Sequence, residues 1–236
     1  WAWSDPRVKR IIKMMLPIMF GSSIAQISLM LDSIIASFLP ADGSASESEL
    51  AERGFTLHAG RLDFTDPQAP ETDPVMMLRL FEKAAARHLD LHPDAVAAIG
   101  RGLRQIDNRF RTDPRAARSF FAVLMDADDP RIILRAMTEA GLLGAYIPEF
   151  GDIVARTQFN MYHAYTVDEH TLQAVGILND IKRGKLKDDH PLASEIIHRI
   201  TDPEVLMLAM LLHDVGKGGD RGQLEDGAIA ARRACE

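Results

Sequence analysis

Apolar residues recur every three or four positions from about residue 74 to residue 141, which is the spacing of one buried face on an α-helix. Proline stands at the start of four such runs, and it is favoured in the first turn of a helix. In three of the four the preceding residue is aspartate, a good helix N-cap. The pattern therefore predicts four successive helices, which open at Pro74, Pro93, Pro114 and Pro130.

The faces and ends of these helices can also be predicted. We expect the fourth helix to end at Gly141 and Gly144, because glycine is common just after a helix. In the second helix, the spacing predicts an apolar face formed by Val96, Ile99, Leu103 and Ile106. In the first, the predicted face consists of Met77, Leu80, Phe81 and Ala84. The repeated Asp-Pro is explained by helix initiation and is not interpreted as catalytic.

The segment before the four helices has a different pattern. Residues 55–64 alternate roughly between apolar and polar side chains, which predicts a short β-hairpin that turns at Ala59-Gly60. Residues 66–74 contain three prolines and are predicted to be a loop.

Two more helices are predicted in the last third of the chain. Thr166 is followed three residues later by Glu169, which resembles a capping box, so a helix is expected from there to about Lys182. A second helix opens at residues 201–204 and continues through the apolar run that ends at Leu212. The fold class predicted for the chain is therefore all-α, with a possible short hairpin at 55–64.

Composition narrows the classes of function. The net charge of −7 argues against a surface that binds nucleic acid through its phosphates. Cys235 is the single cysteine, so an internal disulfide is excluded and a reducing, cytoplasmic environment is expected. Four arginines of the central helices, which could clamp a phosphate, are better explained as a solvated helix face. They are Arg109, Arg111, Arg115 and Arg118.

The N-terminal 40 residues differ in charge from the rest. They contain four basic and two acidic residues, whereas the remainder contains 23 basic and 32 acidic ones. Eighteen uncharged residues, Met14 to Leu31, follow the basic cluster, a length and flank that suit a membrane helix with its basic end in the cytoplasm. The other interpretation is a buried amphipathic helix of a soluble protein. Residues 41–54 are small, polar and acidic and are predicted to be a linker.

The motifs DPRVKRIIKMMLP, QISLMLD and ASFLP within residues 5–40 resemble the lipid II flippase family. That resemblance covers one helix of a many-helix membrane protein, and it implies no transport activity for this chain. The chain begins at Trp1 and stops at Glu236 within a helical pattern, so we expect it to be a fragment. Two neighbouring reading frames run together would explain the junction near residues 41–50 more simply than a selected fusion.

The candidate chemistry lies in residues 211–217, LLHDVGK. An adjacent His213-Asp214 pair after an apolar run would have to bury charge, which is costly unless the groups are paired or hold a metal. His213 alone could equally be a core histidine. Asp214 beside it, Lys217 one turn later and His170 on an earlier helix favour mixed nitrogen and oxygen ligands for a divalent ion that activates water.

These residues carry a second resemblance. The string FNMYHAYTVDEHT at 159–171, followed by LLHDVGK, resembles the HD phosphohydrolase domain of the PII uridylyltransferase/uridylyl-removing enzyme family. Upstream, GLLGAYIPEF at 141–150 is similar to the helical region between that family's nucleotidyltransferase and HD domains. The resemblance implies a helical region at 55–150 and a truncated HD domain at 151–236, which follow a flippase-like segment at 1–40. The implied reaction is metal-dependent hydrolysis of uridylyl-tyrosine on the PII nitrogen-regulatory protein, with release of UMP.

The resemblance also implies roles for individual residues. His170, His213 and Asp214 match metal ligands, and the metal expected is Mg or Mn. Lys217, and with it His163, would stabilise charge on the phosphate, and Asp214 belongs to the catalytic group as well. The fourth ligand, an aspartate later in the fold, is not found up to Glu236.

Two departures from the family pattern bear on activity. Gln223 stands where many family members have a histidine, which puts a second metal in doubt. No Gly-Ser with paired aspartates for nucleotidyl transfer is found. Other functions therefore stay open, either an HD hydrolase that acts on free nucleotides or a non-catalytic, membrane-tethered helical module.

Overall fold

A computed structural model describes residues 47–154, 166–217 and 223–235. The predicted membrane helix at 14–31, residues 41–46 of the predicted linker and His163 lie outside the described residues. The rest of that segment is not simply a linker, because Glu47–Glu52 form a helix in which Leu50 is buried. Among the described residues, no helix is long and apolar enough to cross a membrane.

Helices dominate the described residues, together with one two-stranded antiparallel hairpin, so the predicted all-α class with a hairpin at 55–64 is confirmed. The hairpin consists of β1 (Phe55–His58) and β2 (Arg61–Phe64). The helices are α1 (Glu47–Glu52), α2 (Ala69–Thr72), α3 (Val75–Arg87), α4 (Pro93–Gly102), α5 (Asn108–Arg111), α6 (Pro114–Asp126), α7 (Pro130–Glu139), α8 (Leu142–Tyr146), α9 (Pro148–Gly151), α10 (Val167–Lys182), α11 (Pro191–Ile196), α12 (Pro203–Leu212) and α13 (Gln223–Cys235).

The hairpin turns where the sequence predicts it. Ala59 and Gly60 both have positive φ, 51° and 76°, as a two-residue hairpin turn requires. Phe55 pairs with Phe64, and both are buried in the core together with Leu62. The alternate residues form the opposite, polar face of the hairpin.

The predicted apolar face is confirmed for the first predicted helix, α3, and only in part for the second, α4. All four residues of the predicted face of α3 are buried, and α3 packs against α6. The predicted face of α4 is wrong in part, because Val96 is 41% exposed. The buried face of α4 instead consists of Ala95, Ala98, Ile99 and Gly102. A Cβ on Gly102 would lie 2.6 Å from Cβ of Pro70, so small residues let α4 approach α2 closely.

Three local predictions need correction. The proline-rich segment at 66–74 is not entirely a loop, since α2 forms one helical turn with Pro70 in its first turn. Gly141 ends α7 with φ of 76°, but Gly144 lies inside α8. A Cβ on Gly144 would lie 2.9 Å from Cα of Gly151, so this glycine serves close packing of α8 on α9.

The third correction concerns the start of α10. The helix begins at Val167 and ends at Lys182, as predicted, but Thr166 makes no side-chain capping bond. Glu169 instead accepts hydrogen bonds from Arg135 of α7, with Nε at 3.1 Å, and from Gln173, with Nε2 at 2.8 Å. A tertiary ion pair has therefore replaced the local capping box.

Candidate metal centre

The apolar helix α12 presents the His213-Asp214 pair at its C-terminal end. Leu211 and Leu212 are buried and anchor the last turn in the core, and His213 is the C-cap. Asp214 follows and is only 2% exposed. The Lys217 N–H donates to the Asp214 carbonyl at 3.0 Å, which closes a turn immediately after the helix. Packing of the apolar helix thus carries a carboxylate into the interior.

His170 reaches the same place from another helix. It lies in the first turn of α10, which packs against α12. The His170 Nε2 is 3.6 Å from Oδ2 of Asp214, and the His213 Nε2 is 3.1 Å from the same oxygen. One ligand atom from each of the three side chains lies within 4.8 Å of the other two. Residues 43 positions apart in sequence therefore converge around one buried carboxylate.

A backbone carbonyl determines the orientation of the His213 ring. Nδ1 of His213 lies 2.7 Å from the Met210 carbonyl oxygen. A carbonyl can only accept, so Nδ1 carries the proton and donates it, and the lone pair of the neutral ring is on Nε2. Nε2 is the nitrogen that faces Asp214. A backbone partner of this kind typically orients a metal-binding histidine.

Lys217 completes the charge balance around Asp214. Its Nζ is 2.6 Å from Oδ2, and both side chains are largely buried. A buried carboxylate is tolerated when cationic groups compensate its lost hydration. The ammonium group therefore contacts the same carboxylate oxygen that both histidines approach.

The donor set fits a divalent cation. Two donors that are each about 2.1 Å from one ion lie roughly 3.0–3.4 Å apart, which is close to the separation of His213 Nε2 and Asp214 Oδ2. Two imidazole nitrogens with one carboxylate oxygen are ligands that Mn, Zn and Fe accept, and an all-oxygen ion such as Mg accepts less readily. Of the two metals predicted, this donor set favours Mn.

Gly216 lets the turn after the pair pack closely against α13. A Cβ on Gly216 would lie only 2.1 Å from the Gly227 backbone nitrogen and 2.4 Å from its Cα. A side chain at position 216 would therefore require backbone movement, whereas a Cβ on Gly227 would lie at an ordinary contact distance, 3.9 Å, from Cα of Gly216. The contact joins the turn that carries Asp214 to the next described helix.

The first turn of α10 is supported by a second set of interactions. Glu169, beside His170, pairs with Arg135, and the hydrogen bond to Glu169 raises the pKa of the Arg135 guanidinium. Asp168 contributes a buried Oδ1 that has no hydrogen-bond partner among the described residues. The Glu169–Arg135 pair therefore ties the first turn of α10, which carries His170, to α7.

The predicted site residues are thus placed as follows. The structure brings His170, His213, Asp214 and Lys217 together, while His163 lies outside the described residues. Arg115 is exposed and pairs with Asp73 and Asp113, and Arg111 donates to the Ala145 carbonyl.

Sequence reasoning missed several groups that matter here. Arg135 had no local signal, because its partner lies 34 positions away. Asp168 lies in the motif at 159–171, but no function was predicted for it. A second His-Asp-His group, on the hairpin and the start of α4, was also missed, although the alternation of the hairpin places two of its members on one face.

Comparisons with known proteins confirm the likeness to uridylyltransferase/uridylyl-removing enzymes and to the lipid II flippase family. Residues 55–146 match the family model described as uridylyltransferase GlnD third domain, and residues 1–61 match lipid II flippase MurJ. A bifunctional uridylyltransferase/uridylyl-removing enzyme of Caulobacter vibrioides is 51% identical over 202 residues, which is 86% of this chain and 21% of the relative.

Enzymes of the same name give similar matches in two other organisms. The one from Phenylobacterium zucineum is 52% identical over 203 residues, again 86% of this chain and 21% of the relative. The one from Azospirillum brasilense is 45% identical over 184 residues, 77% of the chain and 20% of the relative. The chain spans about a fifth of the length of these curated relatives.

Proposed function

Because most of this chain is similar to bifunctional uridylyltransferase/uridylyl-removing enzymes, we propose that it carries metal-binding residues of the uridylyl-removing site. The observation that carries the proposal is the convergence of His170, His213 and Asp214, with ligand atoms within 4.8 Å of one another around a buried carboxylate. The proposed reaction is hydrolysis of a uridylyl-tyrosine phosphodiester on the PII protein. Water adds at phosphorus, and the bond from phosphorus to the tyrosyl oxygen breaks. The products are UMP and the PII protein with an unmodified tyrosine side chain.

His170, His213 and Asp214 would hold a divalent ion, Mn or Mg. Such an ion supplies Lewis acidity at the phosphoryl oxygen and lowers the pKa of a coordinated water. The Met210 carbonyl keeps the His213 Nε2 lone pair directed at the site. In this proposal Asp214 acts both as ligand and as part of the catalytic group.

Lys217 is proposed to stabilise negative charge on the phosphate. Its ammonium lies 2.6 Å from Asp214 Oδ2, the oxygen that both histidines approach. His163 is proposed, from the sequence motif alone, to assist in the same way. A cation aimed at the position where charge develops contributes directly to catalysis.

The same family likeness suggests a domain organisation, a protein partner and a compartment for this chain. Residues 55–150 would form the helical region and residues 151–236 part of the HD domain, with residues 1–40 as a separate flippase-like segment. Of the predicted linker at 41–54, only the part before α1 is proposed as a linker, since Leu50 of α1 is buried in the core. The protein partner would be uridylylated PII, and the compartment would be the cytoplasm.

The decisive experiment measures UMP release from uridylylated PII in the presence of Mn. The resemblance places a fourth ligand, an aspartate, later in the fold, so the assay uses this chain extended past Glu236 by the segment that follows in the Caulobacter vibrioides relative. We expect His213→Ala and Asp214→Asn each to reduce the rate by more than about 100-fold, beyond the effect typical of residues that only support a ligand.

His198→Ala is the matched control, since this histidine is exposed and belongs to a different segment. The control should keep full activity. Retained hydrolysis in His213→Ala, or no UMP release by the extended parent chain, would contradict the proposal. Hydrolysis of free nucleotides without release of UMP from PII would instead identify a different HD hydrolase.

A further inference from the structure

A second group of side chains that could hold a metal lies on the polar face of the hairpin, on elements other than α10 and α12. Thr56, His58, Arg61 and Asp63 share this face, because the register pairs Thr56 with Asp63 and His58 with Arg61. His92, the N-cap of α4, lies beside them. Together, His58, Asp63 and His92 place one ligand atom each within 4.8 Å of one another.

Both imidazoles approach the same carboxylate oxygen. Nδ1 of His58 is 3.1 Å from Oδ2 of Asp63, and Nδ1 of His92 is 3.5 Å from that oxygen. The other oxygen, Oδ1, accepts the backbone N–H of Phe64 at 2.8 Å, which fixes the carboxylate plane. The two rings are nearly perpendicular, with centroids 5.4 Å apart. Three donors from two strands and a helix start thus converge on a small volume.

The backbone holds these three segments in register. The Leu62 N–H donates to the Asp90 carbonyl at 2.8 Å, and the His92 N–H donates to the Leu62 carbonyl at 2.8 Å. Residue 91 therefore forms a parallel bridge with β2. Because Asp63 and His92 each follow a bridged residue, their relative position is set by main-chain bonds. Such preorganisation lowers the ordering cost of binding an ion.

Two carboxylates, Asp63 and Asp94, lie near His92 and favour a cation, against the one positive charge of Arg61 in this group. Asp63 is only 6% exposed, and a buried carboxylate is costly unless it is compensated. Asp94 adds a second negative charge, with Oδ2 at 3.6 Å from Nδ1 of His92. Arg101, which lines the adjoining cavity, is already paired with Glu71 at 3.2 Å and donates to the Pro67 carbonyl.

We propose that His58, Asp63 and His92 bind a divalent transition-metal ion, with Zn²⁺ as the best-suited one. Two imidazoles and one carboxylate form a donor set that zinc commonly uses, with a fourth position for water or another oxygen ligand. A cavity of about 470 Å³, lined by Thr56, Pro67 and Asp94 among others, adjoins the group and has room for that ligand. Coordination through Nδ1 of His92 would replace a long hydrogen bond, 3.3 Å, from the Asp94 N–H.

The ion would cross-link the hairpin to the start of α4. His58 and Asp63 come from opposite strands, and His92 precedes the helix, so one ion would join three segments. Metal affinity for a site that exists only in the folded chain is added to the stability of that chain. The site is independent of the proposed uridylyl-removing function.

The test is a titration of the 236-residue chain with Zn²⁺, monitored by calorimetry, in a background that carries His170→Ala and His213→Ala. Co²⁺ serves as a spectroscopic probe of ligand geometry. We expect one equivalent of Zn²⁺ and a higher melting temperature on binding. Adding His58→Ala or His92→Ala should weaken binding by more than about 100-fold. Adding His198→Ala, an exposed histidine elsewhere, should change nothing.

Absence of Zn²⁺ binding in the background chain would overturn the proposal, as would unchanged binding after His58→Ala. If the background does not fold, the unmodified chain is compared with His58→Ala alone, which alters a largely exposed side chain beside the hairpin turn. Loss of one equivalent supports the site, and an unchanged stoichiometry refutes it. UMP release should not respond to His58→Ala, so failure of either proposal is seen separately.

Discussion

The Met210 carbonyl determines which nitrogen of His213 faces Asp214, because it accepts a hydrogen bond from Nδ1 and leaves Nε2 toward the carboxylate. The residue type at 213 and 214 was readable from sequence. The ring orientation was not, because it depends on a main-chain group and on a turn that forms only when α12 packs. The sequence therefore identified the candidate ligands, and the structure showed which ring nitrogen of His213 faces Asp214.

Lys217 offers a prediction at this scale. Its Nζ lies 2.6 Å from the buried carboxylate of Asp214, so Lys217→Met should lower the free energy of unfolding by roughly 1–3 kcal/mol through loss of charge compensation. Urea denaturation measures this change. The double variant Lys217→Met with Asp214→Asn should recover much of the loss, because no carboxylate charge is left to compensate. Additive losses in the double variant would show that the two groups do not interact.

At the scale of elements, α10 can cross α7 only because position 176 is a glycine and has no side chain. A Cβ on Gly176 would lie 1.9 Å from Cδ of Arg131, and Arg131 is held by Asp129 at 2.8 Å and Asp180 at 3.0 Å. Glycine in a helix normally lowers stability, so its presence here reflects packing.

We therefore expect Gly176→Ala to destabilise the chain by about 1–3 kcal/mol, as overpacking does. Thermal and urea unfolding provide the measurement. Gly100→Ala is the matched control, since Gly100 is also helical and a Cβ added there would have no heavy atom of another segment within 4 Å. The control should be neutral or stabilising by up to about 1 kcal/mol. Equal effects of the two changes would show that the crossing tolerates a methyl group.

The start of α7 predicts a dependence of stability on pH. Asp129 caps this helix, and its Oδ1 accepts the Arg131 N–H at 3.0 Å. Burial opposes ionisation of Asp129, but hydrogen bonds from Arg131 outweigh it and lower the pKa of Asp129 below its ordinary value. The ion pair therefore stabilises the fold above the unfolded-state pKa, about 4, and this stabilisation is lost as pH falls through the lower folded-state pKa.

Asp129→Asn keeps a capping oxygen and removes the titration. We expect the variant to lose less stability than the parent between about pH 5 and pH 3, by under about 1 kcal/mol because the pair is partly exposed. Urea denaturation across that range measures the difference. Superimposable pH profiles for parent and variant would exclude a contribution from Asp129.

At the scale of the whole molecule, the two family matches overlap at residues 55–61, and the structure shows where those residues are packed. Phe55 is fully buried in the same core as Leu62 and Phe64. The overlap segment is thus physically part of the helical core that matches the uridylyltransferase family. The prediction that two reading frames were joined near residues 41–50 stays a prediction, which a genomic read across codons 35–55 would test.

Sequence by itself determined the elements that depend on local chemistry. Proline and aspartate at helix starts, the Ala59-Gly60 turn and the apolar spacing of α3 all reflect interactions within a few residues, so the helices and the hairpin could be predicted. The HDVGK motif at 213–217 could also be recognised from sequence, because its residues are contiguous. Even the end of α10 at Lys182 followed from local pattern.

Only the tertiary structure decided which distant residues meet. Glu169 pairs with Arg135 and so does not complete a capping box, Gly144 packs on Gly151 where a helix end was expected, and Val96 faces outward because small residues of α4 approach α2. The His58–Asp63–His92 group has the same origin. Contacts of this kind depend on the balance of packing and charge over the whole core, which no local pattern contains.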